Sequence, residues 1–396
     1  MAFSSDERAA LEELLERGRE NGIEGLAIIE REDLREREPN ISSACVAALW
    51  VPTGAIVNPY GAALAFAENA AVNGVRFAFD TEVTGIAGHA GAWTLDTVKR
   101  AACIEDHTQL GCSPDTVDAR YIVNAAGAHA GMINALVSTT PVPITPRVGE
   151  YHLLDTAYGA AFRSTIFQTP TAAGKGVLVT PTTGGNLMIG PNADLRESLD
   201  DVSTKAADLD AIMAAAGKTW EHIPRRGVIT NFAGTRASTP GGDFVLGEPD
   251  DAPGFYNVAA IDSPGLTAAP AIAADVARFV GQALEAGPRM DFVATRSAPA
   301  CFRTASDGER ARLVAANPAY GHVVCRCEKV TEGEIVDALH SPVPARTVDA
   351  VKWRTRAGMG RCQSGFCMPL VAEIIARETG CRLCEVDKGK AGSYLD

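Results

Sequence analysis

Apolar positions near the start of the chain recur with the period of a helix. Leu11, Leu14 and Leu15 form one stripe, Ser4-x-x-Glu7 has the form of a capping box ahead of it, and Asn21-Gly22 supplies a stop. A second, short helix is expected near Asp33–Arg37, ending before Pro39 because the residue preceding a proline is pushed out of the helical region. Residues 61–73 predict a helix with a small-residue face that closes at Asn73-Gly74. The period then changes. Residues 75–86 (VRFAFDTEVTGI) and 119–127 (ARYIVNAAG) alternate as strands do, with a hairpin and an elaborated loop between them at about 97–117. A strand-rich section from about 143 to 248 has turns at Thr183-Gly184-Gly185 and Pro240-Gly241-Gly242, and one helix near 202–217 interrupts it. Strand 255–261, a tight Ser263-Pro264-Gly265 turn and a helix over 267–284 follow. Residues 286–320 carry Pro, Gly and charge without clear periodicity and read as a linker.

At 396 residues the chain exceeds one ordinary core, so two or three domains are expected. A hydrophobic fraction of 46% and a mean hydropathy near zero describe a soluble globular protein. The net charge of −13 argues against nucleic acid, and against an anionic membrane surface, as the main partner. No apolar run reaches the ~18 residues of a transmembrane segment, and the first residues lack the form of a signal peptide. A cytoplasmic location is therefore expected, and ten cysteines in such a chain point to metal or redox ligands rather than disulfides. Cys45, Cys103, Cys112 and Cys301 are scattered and read as plain thiols. The other six fall in pairs between 325 and 384.

Four of those six carry chemistry. Cys325-x-Cys327 and Cys362-x4-Cys367 offer two pairs of thiolates within a short module, which suits a [2Fe-2S] cluster because each iron takes two sulfurs from protein. Arg326, Lys352, Arg354, Arg356 and Arg361 form a local basic run expected to match the cluster's negative charge. Met368-Pro369 opens a helix directly after Cys367, turning its positive end toward the thiolates, and Thr331-x-x-Glu334 caps the helix after the first pair. A four-cysteine zinc site is the competing reading, although a single residue between ligands fits the usual zinc spacing poorly. Cys381-x-x-Cys384 is a further pair, read as solvent-facing thiols with a second, weak metal site as the alternative.

VVCRCE followed by GMGRCQSGFC resembles the bacterioferritin-associated-ferredoxin-like (BFD-like) [2Fe-2S] domain at the C-terminus of anaerobic glycerol-3-phosphate dehydrogenase-like flavoproteins. Upstream, several segments in order resemble the D-amino-acid-oxidase-like FAD superfamily, in its glycerol-3-phosphate and 2-hydroxyglutarate dehydrogenase branch. They are 52–70, 121–130, 146–155 with 179–191, 231–239 and 261–277. The resemblance implies a partial FAD-binding Rossmann-like domain, an antiparallel-sheet substrate domain and a small helical [2Fe-2S] domain, in an α/β and α+β fold. It divides the chain into a flavoenzyme body over 1–285, with substrate strands mainly at 143–248, a linker over 286–320, the BFD-like domain over 321–385 and a tail over 386–396. It also implies that Asn124, Ala125, Ala126 and Gly127 lie by the adenosine part of FAD. The backbone N–H groups of Gly265, Leu266 and Thr267 would face the flavin ring at a helix N-terminus. Arg236 would anchor an anionic substrate group through its guanidinium fork. Where the branch more often has a second basic residue this chain has Val148.

The superfamily's GxGxxG turn, which binds the FAD pyrophosphate, has no counterpart in residues 1–60. A weak or incomplete FAD site on this chain is therefore expected, with a partner chain as one source of the missing half. The activity implied is FAD-dependent oxidation of a small anionic hydroxy or amino substrate, with electrons leaving through the cluster to an acceptor protein. The alternative is an iron–sulfur electron-transfer accessory subunit, or a truncated remnant, that binds no flavin.

Overall fold

The structure, a computed structural model, describes residues 1–102, 110–170, 176–390 and 392–393. The first helix, α1 (Ser5–Glu20), starts where its cap predicts, with the Ser4 hydroxyl accepting the Glu7 N–H at 3.2 Å. Strand β1 (Ala27–Glu30), helix α2 (Arg31–Arg37) and strand β2 (Ala47–Trp50) follow, and β1 pairs antiparallel with β2. Helix α3 (Pro59–Val72) begins on a proline, which suits the first turn because its missing N–H has no partner there in any case.

The alternation at 75–86 misplaces the next strand, since β3 spans Thr81–His89. Val75, Phe77 and Phe79 lie exposed ahead of it, and Asp80 takes a left-handed conformation (φ 52°) that breaks the extended run. Alternation without a neighbouring strand to pair with makes no sheet. β4 (Ala92–Ala102) and β5 (Leu110–Ala119) complete an antiparallel meander, so 97–102 and 110–117 of the stretch expected to hold a hairpin with an elaborated loop are strand, and only 103–109, with Cys103, lie outside the described residues.

Strand β6 (Ile122–Asn124), helix α4 (Ala130–Asn134) and the long strand β7 (Thr145–Leu154) come next, then β8 (Leu178–Pro181), β9 (Leu187–Gly190) and β10 (Asp194–Leu195). The predicted turn at Thr183–Gly185 joins β8 to β9, and Gly185 takes φ +84° there. The helix expected at 202–217 is α5 (Ala206–Ala216). β11 (Val228–Ser238), β12 (Val245–Gly247), β13 (Phe255–Ala259) and helix α6 (Gly265–Ala283) follow.

The chain divides into two compact units, each made of two stretches of sequence. The first comprises residues 1–58 and 144–242. Its five-stranded sheet runs β10-β7-β9-β8, with β11 paired along the length of β7. Leu154, Leu187, Ile189, Ile212, Met213 and Trp220 share its core, so α5 covers one face of that sheet. A buried ion pair ties the strands together. Arg196 reaches Glu150 at 2.8 Å and Asp194 at 2.6 Å, with Arg196 and Glu150 side chains only 3% and 0% exposed.

The second unit comprises 59–143 and 243–396. It holds the β3-β4-β5 meander and a three-stranded sheet, β12-β13-β6, in which β13 and β6 run parallel. It also holds a C-terminal module of α7 (Asp307–Ala316), β14 (Val323–Cys325), β15 (Val330–Thr331), α8 (Glu332–Leu339), α9 (Val348–Thr355) and α10 (Met368–Thr379). The module has its own core, in which Val324, Ile335, Leu339, Val351, Val371 and Ile375 pack together.

The segment 286–320, expected to be a linker, is tied down at both ends. The Val293 N–H donates to Asn73 Oδ1 at 2.9 Å, the Val293 carbonyl accepts from Asn69 at 2.9 Å, and Arg296 pairs with the buried Glu68 of α3. Farther on, the Phe302 N–H donates to Glu334 at 3.0 Å, and α7 opens with a full Ser306/Glu309 capping box. Tyr60 of α3 stacks on Trp353 of α9 with ring centroids 4.8 Å apart. α3, the segment 286–320 and the C-terminal module are thus joined by named contacts.

Candidate functional site

The four cysteines meet at one end of the C-terminal module. Cys325 ends β14 and is buried, Cys327 is exposed in the turn that follows, Cys362 is half-buried, and Cys367 is buried as the residue before α10. Their sulfurs sort into two pairs, each taking one thiol from either half of the motif. Cys327 and Cys362 lie 3.7 Å apart, and Cys367 donates to Cys325. That contact brings Cys325 down to about 6, against the upward push of burial, and it holds the Cys367 thiol up. A single tetrahedral metal would place all four sulfurs about 3.8 Å from one another. No three of these thiols come within 4.8 Å of each other. Two pairs suit two irons better than one zinc.

The loop carrying the second half of the motif is bent around that site. Arg356, Gly358, Gln363 and Ser364 all have positive φ. A β-carbon on Gly360 would overlap the Cys327 side chain, and one on Gly358 would overlap the Ser364 hydroxyl. Both glycines let the loop close onto the sulfurs. The Gly358 N–H also donates to Cys325 Sγ at 3.5 Å, and α10 points its N-terminus at Cys367. The capping box expected at Thr331 and Glu334 is present.

Two members of the basic run, Arg354 and Arg356, are used differently from the expectation. Arg356 is spent on the buried Glu328 at 2.7 Å, which Arg303 also approaches at 3.5 Å, and Arg354 donates to the carbonyls of Val343 and Ala350. These arginines neutralise or brace the protein around the site. Cys381 accepts from Thr379 and Cys384 is exposed, both outside the four-cysteine group.

In the β12-β13-β6 sheet, Asn124 is 3% exposed and its amide donates to Asn257 and to the Ala130 carbonyl. Its side chain therefore fixes the strand end and its Oδ1 accepts the Ala126 N–H at 3.3 Å, while residues Ala125, Ala126 and Gly127 are exposed in the turn that follows. Gly127 takes φ +58° in that turn. Nearby, α6 starts at Gly265 with no side-chain cap. The Gly265 N–H, expected to face the cofactor, is taken by the Asp262 carbonyl at 2.6 Å, and Gly265 is buried. Leu266 and Thr267 are exposed in the first turn. Between α6 and the sheet lies an open apolar cleft of about 470 Å³, lined by Val123, Ala125, Val258, Ile272, Val276 and Val280.

Arg236 lies on β11 in the first unit, half-buried, and its guanidinium donates to the Asn192 carbonyl at 3.0 Å. It faces Arg147 across the β7–β11 ladder. Arg147 was not singled out by sequence. Its place beside Arg236 depends on a strand register spanning some ninety residues of chain, and no local signal reports that.

Comparison with known proteins gives this geometry a family. The model of the FAD dependent oxidoreductase (DAO) family matches residues 1–279. The chain belongs to that family. A second model, the BFD-like [2Fe-2S] binding domain, matches residues 323–377, a span that contains all four clustered cysteines. This FAD-dependent oxidoreductase is 42% identical over 398 residues to a glycerol 3-phosphate dehydrogenase of Caloramator mitchellensis, covering 100% of this chain and 79% of that one. It is 26% identical over 413 residues to anaerobic glycerol-3-phosphate dehydrogenase subunit A1 of Haloferax volcanii, covering 93% and 67%. Among solved structures it is similar to L-alpha-glycerophosphate oxidase from Mycoplasma pneumoniae with FAD bound, at 25% identity and a TM-score of 0.64 over 76% of each chain. Among the described residues no helix is long and apolar enough to cross a membrane.

Proposed function

We propose that the chain oxidises glycerol 3-phosphate, or a closely similar small anionic alcohol, and passes the electrons through its C-terminal module to an acceptor protein. The observation that carries this reading is the 42% identity to a glycerol 3-phosphate dehydrogenase, which spans both the flavoenzyme body and the cysteine module. The chemistry supplied by the bound groups is hydride acceptance by FAD and one-electron transfer by the [2Fe-2S] cluster. The chain's own residues bind and orient. The exposed turn at Ala125–Gly127 lets the cofactor approach backbone, and the N–H groups of Leu266 and Thr267 at the start of α6 stabilise negative charge. Arg236 anchors the substrate's anionic end. Cys325, Cys327, Cys362 and Cys367 are the cluster ligands, arranged as two pairs and held by the Gly358–Gly360 loop.

The test is an anaerobic preparation analysed for iron, acid-labile sulfide and flavin, with dye-linked oxidation of glycerol 3-phosphate as the activity. Two irons and two sulfides per chain are expected. Cys362→Ser should lose the cluster spectrum and electron delivery, and Cys381→Ser should keep both. Stoichiometric zinc without labile sulfide would sink the ligand assignment. Iron–sulfur absorption without flavin bands near about 450 nm, and without substrate oxidation, would favour the accessory electron-transfer reading.

A further inference from the structure

We propose that Arg147 is a second anion-binding residue which, together with Arg236, clamps a doubly charged phosphate ester over a glycine floor. The proposal rests on the reading of Arg236 as the substrate anchor and adds to it a residue and a charge state. In the β7–β11 ladder Arg147 faces Arg236, Gly149 faces Gly234, and Tyr151 faces Phe232. Directly opposed residues of an antiparallel pair share a face, with Cα atoms about 4.5–5.5 Å apart. These three pairs therefore line one column. Val148, Glu150 and Leu154, at the intervening positions of β7, are buried on the opposite face.

Two like charges directly opposed in a sheet repel each other. Elsewhere in this sheet the chain balances its positive charge, since Arg196 sits among Glu150, Asp194 and Asp201. Arg147 and Arg236 have no carboxylate partner among the described residues, and Arg236 is braced only by the Asn192 carbonyl. A half-buried pair of guanidiniums without a counter-charge is a place for an anion.

The surroundings shape that place for a short molecule. Gly149 has no side chain to obstruct the Arg236 guanidinium, which folds over it, and a β-carbon on Gly149 would collide with that group. Gly234 has open space where a side chain would stand. Tyr151 and Phe232, stacked with centroids 5.1 Å apart, close the far end of the column. One carboxylate is satisfied by one guanidinium fork, whereas a phosphate monoester above its second pKa of about 6 carries two charges and three free oxygens. Two forks on facing strands match the latter.

The test is calorimetric titration of the full chain, as purified, with glycerol 3-phosphate, glycerol and L-2-hydroxyglutarate. Wild type should bind glycerol 3-phosphate and not glycerol. Its affinity should fall about fourfold between pH 7.5 and pH 5.5, as the dianion fraction falls with a pKa of about 6. Arg147→Gln should weaken glycerol 3-phosphate binding at pH 7.5 by about ten- to a hundredfold and remove the pH dependence, with the melting temperature kept. Arg147→Lys should recover part of the affinity. Unchanged affinity in Arg147→Gln, with affinity lost in Arg236→Gln, would overturn the clamp and leave the anchor standing. Unchanged affinity in both variants, or no binding by wild type, would overturn the clamp and the anchor together. Tighter binding of the dicarboxylate than of the phosphate ester would overturn the charge argument. Iron, sulfide and flavin content are read separately, so none of these outcomes is confused with failure of the cofactor assignments.

Discussion

Gly360 has no room for a β-carbon, because the Cys327 side chain occupies that space. Gly360→Ala should therefore displace Cys327 from its partner Cys362 without unfolding the module. The expected outcome is an iron content well below that of the parent, with far-ultraviolet circular dichroism unchanged; full iron content would show that the loop can yield. The cysteines themselves were legible in the sequence because their spacing is local. Gly360 was present in the same motif, but its contact with Cys327 spans the fold and only the structure shows it. The same holds for Glu328. It directly follows the first cysteine pair, yet its partners Arg303 and Arg356 come from 25 residues before and 28 after it in the chain.

Strands and helices are held by a buried ion pair in one unit and by helix caps in the other. Glu150→Ala leaves the buried Arg196 without its most buried partner, although Asp194 stays at 2.6 Å. Breaking a buried pair from one side costs about 3–5 kcal/mol, and the remaining aspartate places this case near the lower end. Urea unfolding followed by Trp220 fluorescence should report the loss, and a change under 1 kcal/mol would show that Asp194 alone suffices. Thr331→Ala removes the cap of α8, worth about 1 kcal/mol, and should lower the denaturation midpoint of the C-terminal module. Helix ends were the most legible elements, since caps are written in a few adjacent residues. Ser306 and Glu309 carried the same signal inside the supposed linker, where the lack of apolar periodicity masked it. The strand expected at 75–86 failed for the converse reason, as alternation alone does not supply a pairing partner.

Across the whole molecule, the C-terminal module has a small core with two of the clustered cysteines, Cys325 and Cys367, inside it. Metal ligation that ties such residues contributes directly to folding. Removing the cluster with acid or chelator should therefore raise amide hydrogen exchange in α8 and α10, while α5 in the other unit keeps its protection. Equal loss of protection in both would argue that they unfold as one body. The sequence by itself determined the cysteine motif, the caps that open α1 and α8, and the resemblance to flavin-dependent oxidoreductases with a BFD-like module. Each of these rests on residues close together in the chain, where spacing and capping act locally. Tertiary structure alone decided that residues 286–320 are tied to α3 and to the C-terminal module. It alone turned Asn124 inward and set Arg147 beside Arg236. Those outcomes depend on strand register and on buried polar groups finding partners far along the chain, and neither constraint leaves a periodic trace in the sequence.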